Sequence, residues 1–211
     1  MDINFLVIEG NIGVGKTTLA EKISSDYNAK LILERFADNP FLPKFYDDPE
    51  KYSFPLEMSF MADRYNQLKR ELTNRDLFCT FTVADYYFMK SLIFSRSTLN
   101  DDEYALYRRF FEIIYDQLPK PDLYVYLHAS SNILLKNIAG RGRDYEINID
   151  SAYLEKIHKS YLNFMKQQKD FPVVIIDTHG IDFVNNRADY KRLISIIFEN
   201  DYKNGINNVR M

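Results

Sequence analysis

Cysteine is almost absent from the 211 residues, and the single thiol, Cys79, has no partner in the chain for a disulfide. Residues 1–9 lack the basic segment, long apolar run and cleavage site of a secretory signal, so a reducing cytoplasm is the expected location. No apolar stretch approaches the roughly 20 residues that span a bilayer. Neither sign of charge dominates. With 27 basic against 30 acidic side chains, a broad nucleic-acid surface is not expected, and any anionic ligand must be met locally. Tryptophan is missing too, yet 16 Tyr, 16 Phe and an apolar share of 46% exclude intrinsic disorder. The three histidines, His128, His158 and His179, have no metal-ligand spacing, and no zinc site is expected. The length suits one compact domain over 1–211 with one core.

Short β-branched or aromatic runs alternate with longer amphipathic segments, which predicts an α/β fold. Five strands are expected at 5–9, 31–34, 78–83, 123–127 and 173–177. Their near-continuous apolar character predicts a parallel sheet covered by helices on both faces. Helices are expected at about 17–25, 52–73, 87–96, 102–117, 130–138, 151–169 and 187–199, several behind Asp, Ser or Asn caps. Residues 201–211, rich in Asn and charge, read as a mobile tail.

Directly after the first strand come Gly10, Asn11, Ile12, Gly13, Val14, Gly15, Lys16, Thr17 and Thr18, a full match to GxxxxGK[ST] in the strand-to-helix setting that motif requires. The glycines let the backbone curl around phosphate oxygens, so that N–H groups and the positive end of the next helix face the anion. Lys16 supplies a point charge toward the β- and γ-phosphates, and the Thr17 hydroxyl is placed to coordinate Mg²⁺. A nucleoside triphosphate, taken as ATP, and Mg²⁺ are the implied cofactors.

In an open parallel sheet the ligand crevice lies beyond the carboxyl ends of the strands, where Glu34, Arg35, Asp85 and Asp177 fall. A carboxylate there can accept a proton from an attacking hydroxyl. Asp85 reads equally as a helix cap or as the holder of a Mg²⁺-bound water. After the fourth strand and its helix, Arg141 and Arg143 flank Gly142, and residues 140–146 suit a lid whose cations close over a transferring phosphoryl group.

Taken together, these residues resemble the deoxyribonucleoside kinase family of deoxycytidine, deoxyguanosine and deoxyadenosine kinases. The resemblance runs from about residue 4 to 183. It is carried by the glycine loop ending in Lys16 and Thr17, by Glu34, by Tyr46 with Glu57 eleven residues on and Arg64 seven beyond, and by Arg141, Arg143 and Glu146. Segments 85–94 and 119–128 are most similar to the Bacteroidetes-type deoxyadenosine kinases. The resemblance implies a P-loop kinase fold, Glu34 as general base on the nucleoside 5′-hydroxyl and Arg141 and Arg143 as lid arginines. It also implies that Tyr46 and Glu146 hold the sugar 3′-hydroxyl, that Glu57 and Arg64 face the base, and that the partner is a second copy in a homodimer. Two departures stand out. The family's Glu-Arg-Ser after the third strand is absent: Asp85 stands where the acid would be and the arginine has no match, leaving Arg35 or Lys90 to compensate. The family's base-pocket Gln is Glu57.

The expected activity is ATP-dependent 5′-phosphorylation of a deoxynucleoside without a covalent enzyme intermediate. A nucleoside monophosphate kinase of the thymidylate type would share loop and lid but needs further basic groups for an acceptor phosphate. A non-catalytic structural relative has no need of Lys16, Thr17, Glu34, Arg141 and Arg143 together. An ionised glutamate only accepts hydrogen bonds and an arginine only donates them. If Arg64 covers one Glu57 oxygen, the pair matches adenine; if both oxygens stay free, guanine fits. The local resemblance puts deoxyadenosine first and deoxyguanosine second.

Overall fold

The computed structural model describes residues 3–35, 39–73, 76–143, 146 and 148–210. Asp144 and Tyr145 of the expected lid, and Met211 of the expected tail, lie outside them. Every residue of the first strand, β1 (Phe5–Gly10), is buried, as a strand covered on both faces requires. It lies inside a parallel sheet with β2 (Lys30–Ile32), β3 (Thr82–Ala84), β4 (Leu123–His128), β5 (Pro172–Asp177) and β6 (Gly205–Arg210). The strand order is β2-β3-β1-β4-β5-β6.

The chain divides into two compact units. The first comprises Met1–Leu33, Asp76–Asp85 and Lys120–Met211, and the second Glu34–Arg75 and Tyr86–Pro119. The first holds the sheet with α1 (Lys16–Tyr27), α6 (Ser131–Arg141), α7 (Ser151–Gln167) and α8 (Arg187–Phe198). Because successive strand residues face opposite ways, β4 divides its side chains. Val125 and Leu127 join Leu6, Ile8, Val174 and Ile176 against Leu19 and Ile23 of α1 and Leu193 and Ile197 of α8. Tyr124 and Tyr126 lie against Phe164 and Tyr161 of α7 instead. The second unit is helical: α2 (Leu42–Asp47), α3 (Pro49–Thr73), α4 (Met89–Thr98) and α5 (Asp101–Tyr115). Its interior includes a run of rings in which Phe88 stacks on Phe111 and Phe111 on Tyr115.

The α/β class, the parallel sheet and the helical covering are as expected, but three details differ. Residues 78–81 are not strand: Leu77 and Phe78 are 88% exposed, and Thr80 instead bonds the backbone carbonyls of Tyr27 and Asn28 at the end of α1. Only residues 82–84 pair with β1. The expected tail contributes a sixth strand. Its polar side chains hid a backbone that pairs with β5 from Gly205 to Arg210, an edge position where side chains need not be apolar. Finally, Gly140 and Arg141 belong to α6, which ends at Gly142 in the left-handed conformation, so the first part of the expected lid is helix.

If β6 is integral, truncation after Asn204 bares the β5 edge. The loss should be about 2 kcal/mol, or about 4–8 °C in Tm for a chain of this size. Thermal unfolding followed by circular dichroism checks this; an unchanged Tm would return 205–210 to a tail.

Candidate functional site

Beyond the C-terminal end of β1 the backbone turns so tightly that side chains are excluded. A Cβ on Gly10, whose φ is 151°, would lie 2.6 Å from the Leu127 carbonyl oxygen. One on Gly13, at φ 81°, would lie 2.8 Å from that of Leu134. Val14 is buried in the core and Ile12 packs against it, so these positions can offer a ligand only their backbone. Asn11 braces the loop: its side-chain nitrogen donates to the Leu154 carbonyl at 2.7 Å and its oxygen accepts from the Ile12 N–H at 2.9 Å. Lys16 Nζ donates to the carbonyls of Gly10 and Asn11, both at 2.9 Å, which folds the cation into the ring of the loop. A cleft of about 760 Å³ opens here, lined by Gly13 through Thr18 and, across it, by Lys136, Arg141 and Arg143. Backbone donors, a helix N-terminus and four cations make it a site for a polyanion.

Thr17 Oγ1 donates to Asp85 Oδ2 at 2.6 Å. A hydroxyl and a carboxylate oxygen in contact are a hard donor set that fits Mg²⁺. Arg141 grips Glu146 through Nε at 3.1 Å and Nη2 at 2.6 Å, and Arg143 Nη1 approaches the same carboxylate at 3.5 Å. Glu146 is 6% exposed while both guanidinium groups are about one-third exposed. The residue expected on a sugar hydroxyl therefore holds the two arginines of the cleft.

In the second unit, Glu34 accepts from Arg64 Nε at 3.0 Å and Nη2 at 2.9 Å, and its other oxygen pairs with Lys90. Burial alone would raise its pKa, but the two cations outweigh burial and bring it to about 2. Arg64 Nη1 donates to Ser91 Oγ at 2.9 Å, and the guanidinium lies 5.1 Å from the Phe60 ring centroid. Of the two residues that could replace the missing family arginine, Arg35 is exposed and Lys90 is the one on Glu34. The arrangement in which Arg64 covers a Glu57 oxygen is not formed, because the ionised Glu34 claims the guanidinium. Glu57 Oε1 accepts instead from Thr98 Oγ1 at 2.8 Å, while its Oε2 is buried without a hydrogen-bond partner. Burial pushes the Glu57 pKa up to about 7 despite the nearby Arg64. Tyr46, on α2, is 49% exposed with its ring edge-on to Phe45.

Sequence reasoning named Glu57 but not Thr98, which lies 41 residues along the chain on another helix and belongs to no motif. Ser91 and Lys136 were missed for the same reason.

The family model described as deoxynucleoside kinase matches residues 6–200. A deoxyguanosine kinase of Bacillus subtilis is 37% identical over 199 residues, covering 92% of this chain and 96% of its own. A deoxyadenosine/deoxycytidine kinase of the same organism is 27% identical, with 95% and 96% covered. The structure of a deoxyadenosine kinase from M. mycoides with bound dATP superposes with a TM-score of 0.77 at 24% identity, covering 92% and 98%; at that identity the likeness concerns the fold.

Two outcomes follow from the buried acids. Glu146 competes with incoming phosphates for Arg141 and Arg143, so Glu146→Gln should tighten binding of a non-hydrolysable nucleoside triphosphate by about two- to fivefold, a range set by partly exposed pairs. Isothermal titration gives the sign, and weakened binding would refute the competition. The second concerns stability. Because the folded pKa of Glu57 lies above its unfolded value, the acid costs nothing below about pH 4.5 and destabilises the fold as pH rises through about 7. Glu57→Gln should therefore raise Tm at pH 8.5, relieving on the order of 3 kcal/mol, and leave it nearly unchanged at pH 4.5. Melting curves at the two pH values test it.

Proposed function

The chain belongs to the deoxynucleoside kinase family, and on that premise we propose that it transfers the γ-phosphoryl group of ATP to the 5′-hydroxyl of a purine deoxyribonucleoside. The observation that carries this reading is Glu34, an acid held ionised by Arg64 and Lys90 at the end of a sheet connection. A charged carboxylate can orient a hydroxyl through a hydrogen bond and take its proton as the new P–O bond forms, with ADP leaving. A pKa of about 2 makes Glu34 a weak base, which suits a loose transition state where proton transfer lags behind bond cleavage.

The remaining roles follow from residue chemistry. Lys16, Arg141 and Arg143 would bind the donor phosphates and neutralise charge on the transferred group. Thr17 and Asp85 would hold Mg²⁺, which when bound supplies further charge neutralisation at the phosphates. Tyr46 and Glu146 are assigned to the sugar 3′-hydroxyl, so that Glu146 would exchange its arginines for substrate. Residues about 140–146 would act as a lid. Glu57 would meet the base, and Arg64, committed to Glu34, would play its part through that acid. This supports a purine over thymine, which has no amino group to give the carboxylate. Both purines are retained. The uncovered Glu57 oxygen and the 37% identical deoxyguanosine kinase support guanine, while the local sequence resemblance supports adenine. Leu106, Phe110 and Ile113, at helical spacing on α5 and 43%, 43% and 64% exposed, would be covered in a homodimer.

An ADP-release assay with the four deoxynucleosides and TMP tests the reading. Deoxyadenosine and deoxyguanosine should lead, and activity confined to TMP would overturn it. Glu34→Gln should lower turnover by about 10²–10⁴ with triphosphate binding intact.

A further inference from the structure

Within the second unit, and unlike Glu34, Glu57 has no cation or N–H on its carboxyl among the described residues. Its two oxygens are chemically unequal. Oε1 receives the Thr98 hydroxyl, so when the acid is neutral its proton belongs on Oε2, the atom that is buried without a partner. Arg64, seven residues along the same helix, donates Nε and Nη2 to Glu34 and Nη1 to Ser91. From α5, Tyr107 lies beside it and donates its hydroxyl to the Glu57 backbone carbonyl at 3.4 Å. Its own ionisation is pushed up by burial. No group of α2 contributes to the Glu57 shift. Among the described residues, then, Arg64 is the charged group that acts on this carboxyl, and Thr98 is the donor that orients it.

The two forms of Glu57 offer different edges to a base. Charged, the carboxylate only accepts, and Oε2 with the remaining lone pair of Oε1 presents two adjacent acceptors. Guanine carries the complement, N1–H beside its 2-amino group. Neutral, the acid presents an Oε2–H donor beside the Oε1 acceptor. Adenine carries that complement, N1 beside its 6-amino group. Each purine offered to the wrong form leaves a buried polar group facing its like, a mismatch able to discriminate by orders of magnitude.

We propose that the protonation state of Glu57, with Thr98 fixing which oxygen carries the proton, selects between the two purines: charged Glu57 admits guanine and neutral Glu57 admits adenine. The inference rests on the purine kinase reading above, with Glu57 toward the base. Burial brings the acid's pKa to about 7, so both forms are populated near neutrality.

The test is the ratio of kcat/KM for deoxyguanosine to that for deoxyadenosine, measured from pH 6 to 8 in the wild-type enzyme. Ionisations of the donor site and of Glu34 act on both substrates and cancel in the ratio. It should climb steeply with pH, by up to about tenfold per unit, as expected when one substrate needs the ionised and the other the neutral form of one group. Glu57→Gln, a permanent donor–acceptor pair, should give a flat profile with deoxyadenosine ahead. A wild-type ratio that does not change with pH overturns the inference and leaves the purine kinase reading in place. So does a slope that persists in Glu57→Gln. A chain that turns over neither purine overturns both.

Discussion

A carboxylate taken out of water must find cations or hydrogen-bond donors, or give up its charge, and Glu9, Glu34, Glu57 and Glu146 meet that demand in different ways. Glu9, fully buried in β1, accepts the Tyr161 hydroxyl of α7 at 2.8 Å and the Gly10 N–H at 3.2 Å. It thereby ties the start of the phosphate loop to the helix covering that face of the sheet. Glu34 has two cations and keeps its charge. Glu146 holds two arginines that are themselves partly in solvent. Glu57 has one hydroxyl on it and a guanidinium that is bonded elsewhere, and its charge is the one that burial threatens. Which acid keeps its charge follows from the groups that face it: Glu34 has two cations on its oxygens, whereas Glu57 has a single hydroxyl.

Much of the first unit was legible in the sequence because its determinants are local. A buried parallel strand reads as an apolar run, and the glycine loop reads as fixed letters at fixed spacing whose conformation only glycine tolerates. Helix starts were legible where a cap stands in the chain, as at Asn100, Asp150 and Asn186, each of which accepts from a backbone N–H of the first turn. The sixth strand was not, since its pairing with β5 is made by backbone atoms that carry no letter. Residues 78–81 failed in the other direction: a β-rich run of letters lost its place in the sheet to the bonds that close α1.

The site was legible as a set of residues and less so as a set of partners. Glu34, Glu57 and Arg64 could be named, but which carboxylate holds the arginine depends on competition between buried charges. Lys90 changes that competition by making Glu34 the more firmly ionised of the two acids. A hydroxyl such as Thr98 has no signature at all until the fold brings α4 to α3. Partner choice is a property of the assembled unit, whereas residue type is a property of the chain.

The position of β1 has a bearing on biosynthesis. This strand precedes its sheet neighbours in the chain: it pairs with β3 and β4, whose residues follow it by some 75 to 120 positions, and Gly10 closes against the carbonyl of Leu127. The phosphate loop hangs from the end of a strand that has no neighbours until most of the chain exists. A nascent chain that ends before β4 therefore carries every letter of the nucleotide motif without the means to bend it into shape. Nucleotide capture must wait until β4 has emerged, even though the code for it is read more than a hundred residues earlier.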